Sequence, residues 1–177
     1  MTNEIADFDA ASLIGSPIPD TDLISTDGVP VNLRDLQSRF LVVYAYPRTS
    51  APGVAPLKDW DLIPGAKGCT PQSCSFRDHH YELSGLGAAV FGVSTQETDY
   101  QREAVGRLHL PFPLLSDNEL TFAKSLGLPT FEVEGLVLLR RLTLISENGY
   151  IRQVMYPITK PQENASEVVS ILRDWNK

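Results

Sequence analysis

Cysteine is scarce in this chain. Cys69 and Cys74 are the only two in 177 residues, which excludes a disulfide-stapled scaffold and leaves the fold to a hydrophobic core. Long apolar runs are missing too. No stretch approaches the roughly 20 residues needed to span a bilayer. The first residues, Met1-Thr2-Asn3-Glu4, are acidic and lack the apolar run of a secretory signal. The expected compartment is the cytoplasm, where thiols stay reduced. Positive charge is also short, with 15 Lys and Arg against 22 Asp and Glu and a net charge of −7. Such a surface argues against nucleic acid or an anionic membrane as the main partner. No repeat or low-complexity tract is present.

The hydrophobic fraction of 42% is enough for an ordinary core, and the length predicts a single domain over residues 1–177. Residues 1–17 read as a loosely ordered lead-in. A short strand is expected near Thr21–Thr26, then a turn at Asp27-Gly28 and a helical turn within Val31–Leu36 with Asn32 near its cap. Phe40–Tyr46 is a continuous apolar, β-rich run, the pattern of a strand buried on both faces. Residues 48–68 carry prolines and glycines without periodicity and read as a long loop. A helix follows, with Thr70 as cap and Pro71 in the first turn, running to Leu83 and ended by Gly85 and Gly87. Ala88–Val93 is a second buried strand and Glu97–Leu108 a helix. Phe112–Asp117 is a short strand leading into a helix over Asn118–Leu126. Leu136–Ile145 and Tyr150–Tyr156 are two strands joined at Glu147-Asn148-Gly149. The last helix carries Val168, Ile171, Leu172 and Trp175 on one face. This order predicts an α/β fold of the thioredoxin-like kind, a central mixed sheet flanked by helices.

The two cysteines lie close together, and in a reducing compartment such a pair is more often catalytic or metal-binding than structural. Cys69 stands where a helix begins. Free backbone N–H groups and the positive end of the helix dipole favour an anion there, so the thiolate, the form that attacks an O–O bond, is favoured. Cys74 follows five residues later. On an unbroken helix the two Cα atoms would be roughly 8–9 Å apart, beyond the roughly 7 Å limit for a disulfide. A bond between them therefore requires this turn to unwind.

The segment Gly68-Cys69-Thr70-Pro71-Gln72-Ser73-Cys74-Ser75-Phe76-Arg77-Asp78 resembles the active-site stretch of the Q-type, or bacterioferritin-comigratory-type, peroxiredoxins. That stretch reads Tyr-Pro, then Thr-Pro-Gly-Cys-Thr, then Cys and Phe-Arg-Asp. Tyr46-Pro47, Phe91-Gly92-Val93-Ser94, Leu110–Asp117 and Arg140–Gly149 extend the likeness over about residues 18–175. The resemblance implies a thiol peroxidase that reduces hydrogen peroxide and organic hydroperoxides. Cys69 would be the peroxidatic and Cys74 the resolving cysteine, with recycling by thioredoxin or a similar dithiol protein. No prosthetic group or metal would be needed, and the protein would be a monomer or weak homodimer. Pro47 would shield the thiolate. Counting back six positions from Ser146, taken as the family's Asp, gives Arg140 as the active-site arginine. Successive strand residues face opposite ways, so only one of Arg140 and Arg141 can meet Cys69, and Arg140 is favoured.

The chain departs from the pattern in two places. Pro47 lies 22 positions before Cys69 where the family has seven, so fifteen residues are inserted, at about residues 50–66. Ala66 stands where the family has the Thr or Ser that contacts the thiolate, and Thr49 could supply that hydroxyl instead. The insertion, with Trp60 between Asp59 and Asp61, is either a lid over the site or a surface loop with a packed Trp. Other functions stay open on the residues alone. The chain could be a thioredoxin-like thiol–disulfide oxidoreductase, with Leu128-Pro129-Thr130 in place of that group's proline loop. It could be a one-cysteine peroxidase with Cys74 a bystander, or a metal module built on Cys69, Cys74, His79 and His80.

Overall fold

A computed structural model describes residues 8–177. Residues 1–7, which hold the acidic N-terminus and the start of the expected lead-in, lie outside the described residues. The rest of that lead-in is not loose. Asp9 caps a 3-10 turn at Ala10–Leu13, Leu13 and Ile18 are buried, and Gly15 N–H donates to Ile151 O at 2.7 Å.

The centre is β3 (Phe40–Ala45), buried along its whole length. Both of its edges are paired with strands of six or seven residues, and each face carries a packed core. β4 (Ala88–Ser94) runs parallel to it and β8 (Leu142–Glu147) antiparallel. β5 (Leu114–Ser116) extends the sheet beside β4, then β1 (Asp22–Ser25) and β2 (Pro30–Asn32), while β9 (Tyr150–Met155) closes the other edge. The seven-stranded order is β2-β1-β5-β4-β3-β8-β9, a mixed sheet as expected. The strand period of two sorts β3 cleanly. Phe40, Val42, Tyr44 and Tyr46 face one core. Leu41, Val43 and Ala45 face the other. The first core is covered by α1 (Cys69–Asp78), α2 (His80–Gly85), α3 (Thr98–Leu108) and α5 (Asn164–Trp175). The second is covered by α4 (Thr121–Leu126) and the N-terminal turn.

Two expectations need correction. The single strand over Leu136–Ile145 is broken at Arg140-Arg141. Its first half, β7 (Leu136–Leu139), pairs with β6 (Thr130–Val133) in a separate hairpin turned at Glu134-Gly135. The helix expected from Thr70 to Leu83 is two helices, interrupted at His79.

That hairpin gives segment 50–66 something to pack on. Ile63 and Ala66 are buried with Phe131 and Leu138, and Leu57 and Trp60 close over them. The Trp60 ring lies 6.2 Å from that of Phe131. The segment holds only a 3-10 turn at Trp60–Leu62, yet its apolar side chains form a small third core.

Candidate active site

Cys69 is the first residue of α1, and Gly68 before it is the cap. Gly68 has φ +112°, and a Cβ there would sit 2.5 Å from Pro161 Cγ. Only glycine satisfies both limits, since other residues rarely adopt that backbone. Thr70, expected as the cap, lies inside the first turn. Cys69 is buried, 5% exposed. Among the described residues its sulfur has two hydrogen-bonding neighbours, Ala66 O at 3.8 Å and Arg141 Nη2 at 3.2 Å.

The arginine at the sulfur is therefore Arg141, and the expected Arg140 is not. Alternation along β8 explains this. Thr143 and Ile145 point toward α1 and α5, while Leu142 and Leu144 point into the opposite core. Carried back through the break, Arg141 shares the face of Thr143. Arg140 turns away, with its guanidinium over the Phe131 ring at 5.2 Å and Nη1 3.5 Å from Pro64 O. A sequence signal for the right choice existed. Anchoring the family's Arg-x-Thr on Thr143 gives Arg141 and sets Glu147, not Ser146, at the acidic position.

Arg141 is held from several sides. Nη2 also faces the carbonyl oxygens of Lys67, Ala66 and Gly65 at 3.0, 3.2 and 3.3 Å. Nη1 donates to Gln72 Oε1 at 2.6 Å. Gln72 Nε2 in turn donates to Asn164 Oδ1 at 3.0 Å, which also accepts from Thr143 Oγ1 at 2.7 Å. Gln72, Thr143 and Asn164 are each fully buried. Sequence reading missed Gln72 and Asn164. Gln72 was reachable, because three residues along a helix share a face with Cys69. Asn164 comes from α5, a contact that only the tertiary fold makes.

Behind the sulfur α1 is clamped to the sheet. The Phe76 ring stacks on Tyr44 at 4.6 Å, and the Tyr44 and Ser73 hydroxyls are 3.0 Å apart. Burial pushes the Tyr44 phenol well above its usual range and does the same to Tyr46. Both therefore stay neutral and add no charge beside the cysteine. Gly92 makes room for this arrangement, since a Cβ there would lie 2.7 Å from Tyr44 Cζ.

The remaining expected residues fall as follows. Cys74 is half-buried on the same unbroken helix as Cys69 and packs at the edge of the core. Both thiols are free. Thr49 is buried and lines a cavity of about 290 Å³ with Cys69. Its hydroxyl, however, donates to Gln96 Oε1 at 3.3 Å, while Gln96 Nε2 donates back to Thr49 O at 2.8 Å. Pro47 is buried at the end of β3 and is not part of that cavity's wall. His79 Nδ1 lies 2.9 Å from Ser75 O and His80 packs on Phe112. Among the described residues no three His, Cys, Asp or Glu side chains converge as a metal site would.

A buried sulfur at a helix start, with a fixed guanidinium against it, is a place built for negative charge and nucleophilic attack. Known proteins are similar to this chain as a whole. The Redoxin family matches residues 13–172. Peroxiredoxin Q, chloroplastic, of Oryza sativa subsp. japonica is 30% identical over 159 residues, covering 90% of this chain. The match spans 66% of that relative, just under two thirds of its length. Peroxiredoxin Bcp of Bacillus subtilis is 27% identical over 168 residues, covering 93% of this chain and 97% of its own. Among solved structures, peroxidoxin BcpB from Mycobacterium tuberculosis superposes with a TM-score of 0.74 at 24% identity, over 91% of this chain and 96% of that one. The bacterioferritin comigratory protein of Xanthomonas campestris, whose structures concern its alkyl peroxide reduction activity, gives 0.74 at 22% identity over 96% and 100%. The thioredoxin-like fold expected from the sequence is the one these neighbours share. No described helix is long and apolar enough to cross a membrane. The chain belongs to the redoxin family, and the relatives it is similar to are peroxiredoxins of the Q and Bcp kind.

Proposed function

We propose that this protein is a thiol peroxidase with Cys69 as its peroxidatic residue. The observation that carries the reading is the Arg141 guanidinium 3.2 Å from the Cys69 sulfur. The Cys69 thiolate attacks the terminal oxygen of a hydroperoxide. An S–O bond forms, the O–O bond breaks, and the leaving oxygen takes a proton and departs as water or an alcohol. Arg141 and the N–H groups of the first turn stabilise the charge that moves from sulfur to oxygen. Cys69 is left as a sulfenic acid. Cys74 then condenses with it, expelling water and forming a disulfide, which thioredoxin or a similar dithiol protein reduces. The protein works in the cytoplasm as a monomer or weak homodimer. The test follows hydrogen peroxide and an organic hydroperoxide with thioredoxin, its reductase and NADPH. Wild type consumes both and Cys69→Ser consumes neither. Equal consumption by Cys69→Ser would end the proposal.

One observation favours a second reading for Cys74. α1 runs unbroken through both cysteines, so a disulfide needs the first turn to open. Opening breaks the links from Gln72 to Arg141 and Asn164. If that opening does not occur, Cys74 is a bystander and an external thiol resolves Cys69.

A further inference from the structure

Asn164 is the first residue of α5, a helix start that has no side-chain cap among the described residues. Asparagine is a poor choice inside a helix, because its amide competes with the backbone and must find partners when buried. Asn164 is fully buried. Its Oδ1 accepts from Gln72 Nε2 of α1 at 3.0 Å and from Thr143 Oγ1 of β8 at 2.7 Å, which uses both lone pairs of that oxygen. Its Nδ2 has Met155 Sδ at 3.6 Å, a weak acceptor. The side chain therefore serves elements other than its own helix.

The same short segment holds α1 at a second point. Pro161, three residues before Asn164, packs against Gly68, where a Cβ would lie 2.5 Å from its Cγ. Gly68 and Gln72 are one helical turn apart, and Gln72 N–H donates to Gly68 O at 2.9 Å. The first turn of α1, with Cys69 in it, is thus held at both ends. Thr143 joins Asn164 to the central sheet, and Gln72 Oε1 accepts from Arg141 Nη1 at 2.6 Å. Thr143, Asn164, Gln72 and Arg141 form one chain of buried hydrogen bonds, the setting in which a lost partner costs most. Opening the first turn to bring Cys74 to Cys69 breaks that chain at Gln72.

We propose that Asn164 is a positioning residue that divides the cycle between attack on peroxide and resolution by Cys74. It holds Gln72, and through Gln72 the Arg141 guanidinium, in the closed arrangement that the attack needs. The same bonds oppose the opening that the disulfide needs. The Cys69 sulfenic acid and the Cys74 thiol condense with loss of water and need no further oxidant, so opening is the step that Asn164 resists. The proposal rests on the peroxidase reading and goes beyond it by placing control of both steps in one residue of the last helix.

The test is single-turnover oxidation of fully reduced protein by hydrogen peroxide, quenched at intervals and read by mass spectrometry. Loss of the Cys69 thiol gives the attack rate, and appearance of the disulfide gives the resolution rate. Asn164→Leu keeps the branched shape and removes the acceptor oxygen. It is expected to slow attack about tenfold and to speed disulfide formation about tenfold, the size of one buried hydrogen bond. Thr143→Val cuts the tie at the sheet and moves both rates in the same directions by less, which carries the test if Asn164→Leu does not fold. Gln101→Leu separates the tie from general loss of stability. Gln101 is also fully buried and donates to Ser94 Oγ at 2.9 Å and Leu115 O at 2.8 Å, so its loss should leave both rates within about twofold, as for sites without shared partners. Unchanged rates in the folded variants, a fall in both rates together, or the same split in Gln101→Leu overturns the role of Asn164. If wild type oxidises Cys69 and forms the disulfide in any of these cases, only that role fails. If peroxide leaves wild-type Cys69 unoxidised, the peroxidase reading fails and the proposal falls with it.

Discussion

Replacing Arg141 by Gln removes a cation from the sulfur while keeping a polar side chain. The Nη2 group has two protons and four acceptors, namely the three carbonyl oxygens of residues 65–67 and the Cys69 sulfur. As charge builds on the reacting atoms, those protons can turn toward them at little cost, because the guanidinium is already in place. A unit charge about 4 Å from another is worth about 4 kcal/mol at an effective dielectric of about 20. Loss of one preorganised donor at a reacting oxyanion costs about 2.7–4 kcal/mol, or about 10²–10³ in rate. The two estimates agree, so the second-order rate of peroxide reduction by Arg141→Gln should fall by about 10²–10³-fold. Arg141→Lys keeps a charge but loses the fork, so it should fall in between. Arg140→Gln, facing Phe131, should stay within about threefold of wild type, as expected for a substitution away from the reacting atoms. Stopped-flow oxidation of the reduced proteins measures all three, with urea unfolding to verify that each is folded. A folded Arg141→Gln that keeps its rate, or a larger loss in Arg140→Gln, would refute the assignment.

Other substitutions probe the supports around the site. Gly92→Ala drives a methyl into Tyr44 and Leu114 and should cost about 1–3 kcal/mol by overpacking, read as a lower urea midpoint with an unchanged slope. Trp60 lines the Cys69 cavity while Trp175 packs on Phe40, so the fluorescence change on adding peroxide should disappear in Trp60→Phe and survive in Trp175→Phe. The Glu147 carboxyl is held below its usual range, first by its hydrogen bond from Arg39 and then by Arg152. A depressed acid stabilises the fold above its unfolded value and loses that contribution as pH falls through the folded one. Glu147→Gln should therefore be about 1 kcal/mol less stable than wild type at neutral pH, with the gap closing below about pH 4, as measured by urea unfolding across that range.

Sequence was most informative where one local rule acts alone. Phe40–Tyr46 announced a central strand because both of its faces are apolar, and Cys69 announced a helix start because its neighbours are turn and helix-entry residues. Reading failed where two rules compete. Leu136–Ile145 is apolar apart from Arg140, Arg141 and Thr143, so a break between two strands in different sheets looks like one long strand. That merger also hid the face on which each arginine lies. The cap was misplaced because Thr70 is a good capping residue in general, whereas here the close approach of Pro161 selects Gly68. Asn164 and Gln72 meet across 92 positions, and no local pattern signals that contact. Segment 50–66 reads as either a lid or a surface loop with a packed Trp, because its partner, the β6–β7 hairpin, is hidden in the same merged strand.

The most direct test of the central claim is a count of thiols and a mass spectrum after one equivalent of hydrogen peroxide is mixed with reduced wild type, Cys69→Ser and Cys74→Ser. The account predicts that wild type loses both thiols to an intramolecular disulfide, Cys74→Ser stops at a sulfenic acid on Cys69, and Cys69→Ser does not react on the same timescale. Rapid oxidation of Cys69→Ser, or no rapid oxidation of wild type, would contradict it.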